Sequence, residues 1–247
     1  MSKRIYFETY GAYGFKDEKW KYFLSGHYSI NNKSIYEYPL NFIRASYQKD
    51  TKIPGQELQF VSEDNFLLSF KRGKNDKLLY NDIFKLEYIH ELPSHLSYTF
   101  GFKHWQHQPA GAISYSKVDS TGTVAVDHIT TTELSGELRW APHEQFYQGK
   151  VYRIPIINKY PILTLRFTAG VKGLFGSEYN YQNLNLRVEK RAYMSQLGYS
   201  DLVLEGGFIF GQLPYPLMTI HRANQTYAYQ LNSYNPVSYT HLTLPTI

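Results

Sequence analysis

Apolar and polar side chains alternate at every second position along most of this chain, and that rhythm limits its fold more than any other feature. Between Trp20 and Ile30 the even positions read Trp20, Tyr22, Leu24, Gly26, Tyr28 and Ile30, while Lys21, Phe23, Ser25, His27 and Ser29, mostly polar, lie between them. Leu96, Tyr98, Phe100 and Phe102 alternate with Ser97, Thr99, Gly101 and Lys103, and Leu134, Gly136, Leu138 and Trp140 with Glu133, Ser135, Glu137 and Arg139. Leu163, Leu165, Phe167, Ala169 and Val171 alternate with Thr164, Arg166, Thr168, Gly170 and Lys172. The same holds for Phe84–Tyr88, Leu184–Glu189 and Asp201–Phe210, and more weakly for Ile5–Phe15, Ile43–Tyr47 and Phe66–Phe70. Successive side chains of a strand point to opposite faces, so period two means strands that separate two environments. Helical spacing is absent from these segments. The expectation is an all-β chain of about ten strands, many near ten residues long, which exceeds the usual five or six of a soluble sheet.

Two architectures satisfy such strands. In a soluble sandwich the apolar face packs on a second sheet. In an outer-membrane barrel it meets lipid, and the polar face lines the lumen. Three features favour the barrel. Strands of about ten residues match a tilted bilayer span. Aromatics gather toward strand ends at Trp20, Tyr22, Trp105, Trp140, Tyr193 and Tyr199, where interfacial girdles sit. Charges fall in mid-strand on the polar face, where neighbouring strands can pair them. This predicts lumen-facing Arg166, Arg187, Glu189, Asp201 and Glu205. It predicts lipid-facing or girdle positions at Trp20, Tyr22, Trp140, Leu163, Leu165 and Phe167. The fold class expected is therefore an antiparallel meander forming an incomplete part of a transmembrane outer-membrane β-barrel, open or imperfectly closed.

Composition narrows the function. With 26 Lys+Arg against 21 Asp+Glu the net charge is +5, spread along the chain, and gives no footprint for nucleic acid. There is no cysteine, hence no disulfide, thiolate metal site or cysteine nucleophile. Residues 1–15 hold no apolar signal-peptide core, and no stretch is long and apolar enough for a spanning helix.

No catalytic or metal constellation emerges. His104 and His107 are three apart in a strand and point to opposite faces. Glu63 and Asp64 read as a solvated turn, and His221-Arg222 as loop. Gly170-Val171-Lys172-Gly173 and Gly206-Gly207 lack the spacing of a phosphate loop. The chain is expected not to be an enzyme and to need no cofactor or metal. The one enzymatic rival places Asp201 and Glu205 near Arg187 or Arg166. Connections carry a weak signal: the tight Lys16–Glu18, Leu92–His95 and Ser195–Gly198 fall on one side if ten strands are counted. The longest, Gln108–Thr131, falls on the other, but Asp50–Asp64 and Pro142–Tyr160 are long yet lie on the short side.

Several stretches carry a resemblance. They are Glu63–Gly73 with Asn75-Asp76-Lys77, Phe146–Pro155, and Pro214-Tyr215-Pro216-Leu217 with His221–Tyr227, joined by Ile53-Pro54-Gly55-Gln56. Together they resemble the C-terminal barrel region of a Gram-negative outer-membrane family of unknown function, whose members carry an N-terminal carboxypeptidase-like regulatory domain. The resemblance implies a secreted precursor whose signal peptide lies outside this stretch, a location in the bacterial outer membrane, and no transferable site residues. Val237–Thr246 resembles the translation of a transposon-type sequencing adapter. The expected organisation is residues 1–236 as a partial barrel and 237–247 as adapter-derived sequence.

The functional expectation is a fragment of an integral outer-membrane barrel in envelope transport, assembly or surface attachment. Its partners would be outer-membrane lipid and a periplasmic or outer-membrane protein. The alternative is a secreted soluble β-sandwich that binds glycans through exposed aromatics.

Overall fold

The computed structural model describes residues 4–15, 17–52, 77–111, 114–119, 122–211, 213–214 and 217–218. Nine strands form one antiparallel sheet: β1 (Ile5–Gly14), β2 (Lys19–Ser29), β3 (Asn41–Lys52), β4 (Lys77–Glu91), β5 (Leu96–Gly111), β8 (Ile129–Trp140), β11 (Ile162–Gly170), β12 (Tyr181–Tyr193) and β13 (Tyr199–Gly211). Two hairpins stand outside it, β6 (Tyr115–Asp119) with β7 (Gly122–Val126), and β9 (Phe146–Gln148) with β10 (Arg153–Pro155). No ladder joins β1 to β13 among the described residues, so the sheet is a meander with two edges and not a closed ring.

The strands form where β-branched and aromatic residues recur at period two, and end where the backbone turns left-handed. The β4–β5 turn holds His95 at φ 63°, and the β12–β13 turn holds Ser195 at 53° and Gly198 at 92°. Only glycine takes such a φ without a Cβ penalty. Gly170 serves closeness instead: a Cβ there would lie 2.2 Å from the Tyr181 ring, its partner across the ladder.

Register joins the apolar positions into a continuous belt. Phe7 faces Gly26, Gly26 faces Ala45, and Ala45 faces Leu86. The row continues through Phe102, Leu134, Ala169 and Gln182 to Phe210. Below it run Phe100, Gly136, Phe167, Leu184 and Phe208. The opposite face is the buried one. Ser25, His27, Ser29, Asn81, His107, Thr131, Glu133, Thr164 and Arg187 are all buried there. This inverts a water-soluble sheet, in which the apolar face is the covered one.

The small apolar core also lies on the polar face. Ile83, Trp105, Tyr181 and Leu217 form one cluster, packed by Tyr179 and Leu213. Leu79, Tyr115 and Ile129 form a second, which brings the β6–β7 hairpin inward. Both sit toward the near end of the sheet, where β1, β3, β5 and β11 end.

Four expectations change. Among the described residues the sheet has nine strands where about ten were expected; β3 pairs directly with β4, and Phe66–Phe70 lies outside the described residues. The tight turn at 15–18 consequently lies at the near end, opposite those at 92–95 and 194–198. The 141–161 connection, anomalously long on the sequence reading, contains the β9–β10 hairpin. Trp105 is no girdle residue: it is 3% exposed and faces inward.

Candidate functional site: the polar face

Most cations on the polar face oppose a carboxylate on the next strand. Arg44 of β3 donates to Glu87 of β4 at 2.7 Å. Lys103 of β5 lies 3.6 Å from Glu133 of β8, which also accepts a hydrogen bond from the Tyr181 hydroxyl. Arg166 of β11 donates to Glu137 of β8 at 2.7 Å. Arg187 of β12 is 2.5 Å from Glu189 and 3.7 Å from Glu205 of β13. Arg191 donates twice to Asp201, at 2.5 and 2.6 Å. These are ladder partners or near neighbours, so strand register alone brings the charges together. Where such pairs remain exposed, solvent screens them and each contributes little to stability. Their larger effect is to leave few bare charges on this face.

Around these pairs the face curves about a cavity of about 530 Å³, with Arg44, Lys85, Glu87, Glu137, Arg166 and Asn185 in its lining. Toward the near end it meets the Trp105 cluster. The Trp105 Nε1–H donates to Asn81 Oδ1 at 2.9 Å, His107 stacks on the indole at 3.9 Å, and Lys103 Nζ sits 3.6 Å over it. Burial holds the Tyr115 phenol well above its usual range.

At the far end the β9–β10 hairpin is fastened to the sheet. Arg153 makes a two-pronged bond to Glu91 at the end of β4, 2.8 Å on each oxygen, with its guanidinium 3.4 Å from the Phe146 ring centre. Glu91 also accepts the Leu40 N–H at 3.0 Å. Arg139 binds Glu144 in the same way, at 2.7 and 2.6 Å. Tyr38 donates to the Leu92 carbonyl at 3.0 Å; burial raises its phenol pKa, the Glu91 carboxylate adds to the rise, and Arg153 opposes it.

Arg166, Arg187, Glu189, Asp201 and Glu205 thus all lie on the polar face. Trp20, Tyr22, Trp140, Leu163, Leu165 and Phe167 all lie on the apolar one, Trp20 toward the near end and Trp140 at the far end. Of the cluster expected around Asp201 and Glu205 only the contact of Glu205 with Arg187 forms; Asp201 turns to Arg191 and Arg166 to Glu137. His104 and His107 point to opposite faces, His104 toward Thr132 at 3.0 Å. Glu63, Asp64 and His221 lie outside the described residues. Among the described residues no three His, Asp or Glu side chains gather as metal ligands.

Sequence reading missed Glu87, Glu91, Glu133, Glu137 and Arg153 as partners. Counting from a tight turn gives only Arg187 opposite Glu205 and Arg191 opposite Asp201; the partners Glu87, Glu133 and Glu137 lie across long connections, where local pattern does not set register. Arg153 had no signal either, because its hairpin strands are three residues each.

No curated protein and no solved structure matches the chain. The model described as "Family of unknown function (DUF5686) C-terminal domain" matches residues 1–243, and the chain belongs to that family.

Proposed function

We propose that this chain forms part of an integral β-barrel of the Gram-negative outer membrane, with its apolar belt against lipid and its paired polar face inward. The whole protein, with a carboxypeptidase-like regulatory domain preceding the barrel, would serve envelope transport, assembly or surface attachment. One observation carries the reading. On adjacent positions of β11 and β12, Leu165, Phe167 and Leu186 are 40–48% exposed, while Thr164 and Arg187 are 7–8% exposed. A water-soluble surface rarely shows a contiguous apolar patch above a few hundred Å². In lipid the same surface is solvated, and spanning sheets satisfy their backbone groups between strands.

The test is gel migration of the complete gene product from outer-membrane fractions. Faster migration without boiling than with it is expected. Equal migration, together with recovery in the soluble periplasm, would overturn the barrel and favour the glycan-binding sandwich.

A point substitution sharpens this. Leu165→Arg is expected to destabilise the inserted form by about 2–4 kcal/mol, the cost of a cation at the bilayer midplane. Thr168→Arg, on the cavity side of the same strand, should keep its heat-modifiable migration. If the two variants behave alike, the assignment of faces is wrong.

A further inference from the structure

The nine strands alternate in direction, so β1 and β13 run the same way. That parity has a consequence for how the sheet is completed. Joining β1 straight to β13 would create the one parallel pair in an otherwise antiparallel sheet. A second copy inserted with the same orientation meets the same obstacle, because its β1 would also run parallel to β13. We infer that, given the barrel reading, the ring is completed by an odd number of further antiparallel strands of the same polypeptide, apolar outward and polar inward, between β13 and β1.

Three observations support this. Both faces of the edge strands are exposed. On β1, Phe7 is 74% and Tyr10 43% exposed, although they point opposite ways; on β13, Leu204 is 71% exposed and Glu205 is exposed beside it. The two edges therefore do not shelter one another. The belt continues undiminished to each edge, through Ile5 and Phe7 at one and Leu202, Leu204, Phe208 and Phe210 at the other. A belt that reaches an edge at full strength needs a neighbour with the same outward face. Finally, among the described residues each edge leaves a row of backbone N–H and C=O groups without ladder partners, and each such group costs several kcal/mol in hydrocarbon. Closure is therefore required in lipid, and strand direction sets its parity.

These 247 residues contain no cysteine, and any cysteine elsewhere in the full-length protein is first replaced by serine. Single cysteines are placed on outward positions of β1 (Ile5, Phe7, Thr9) and of β13 (Leu202, Leu204, Phe208), then crossed in pairs within the full-length protein in outer-membrane vesicles. A Phe167→Cys/Leu184→Cys pair, directly opposed in the β11–β12 ladder, is the positive control. After oxidation, the β1–β13 pairs are expected to cross-link at less than roughly a tenth of the control yield. Amide exchange of both edge strands should meanwhile be as slow as that of β11.

A β1–β13 disulfide within one molecule at control yield would overturn the inference in favour of parallel closure. A disulfide between molecules would overturn it in favour of a second copy. No disulfide with fast-exchanging edge amides would overturn it as well, by leaving the edges open. Failure of the barrel reading looks different: the unmodified protein would then migrate identically with and without boiling.

Discussion

Replacing Glu91 with alanine is expected to destabilise the folded chain by about 3–5 kcal/mol, the usual cost of stripping one partner from a buried ion pair. The two side chains are only 9% and 12% exposed, Arg153 and Glu91 in that order. Without Glu91 the Arg153 guanidinium stays enclosed against Phe146 with no counter-charge, and the Leu40 N–H loses its acceptor. The effect should concentrate on the β9–β10 hairpin, which proteases would then cut more readily than the sheet. The double variant Glu91→Leu/Arg153→Met should recover to within about 1–3 kcal/mol of the parent, because apolar side chains of similar volume remove the desolvation cost together with the pair, while the Leu40 N–H still lacks its acceptor. Denaturant unfolding in detergent micelles measures both. A cost below about 1 kcal/mol for Glu91→Ala would show that the pair is solvated and the hairpin loosely held.

The second large effect is at Trp105. Trp105→Ala is expected to cost about 3–5 kcal/mol, the range for deleting a buried aromatic with partial collapse of the cavity. The indole packs with Ile83, Tyr181 and Leu217, carries His107 on one face, and gives its N–H to Asn81. Trp105→Phe separates the contributions. It retains most of the apolar packing and loses the bond to Asn81, so about 1–3 kcal/mol should remain for the unmet Asn81 oxygen. Equal losses for the two variants would show that the hydrogen bond, not the packing, holds the near end together.

Trp105 also shows how far the sequence can be read. Its parity was visible, since the apolar positions of β5 are the even ones, Leu96 to Phe102, and 105 is odd. Grouping it with Trp20 and Trp140 by residue type set aside the stronger rule of alternation. The faces of Arg166, Leu165 and Phe167 followed from alternation alone, because a strand has only two sides. Strand number did not follow, since Phe66–Phe70 has the right rhythm and yet β3 hydrogen-bonds directly to β4. Nor did the inward hairpins, because a three-residue strand such as Arg153–Pro155 is too short to show any period. The partners of the charges depend on register, which local pattern does not set and which the turns and the whole sheet fix together.

Because apolar and polar positions alternate along each strand, the molecule tolerates changes in its spelling better than changes in its length. Deleting one amino acid inside β11 would swing Leu165 toward Glu137 and move a guanidinium onto the apolar face, turning one small edit into many simultaneous faults. Gains and losses of residues among relatives should accordingly collect in the connections, such as the 141–161 excursion, and leave the staves of the sheet at constant length.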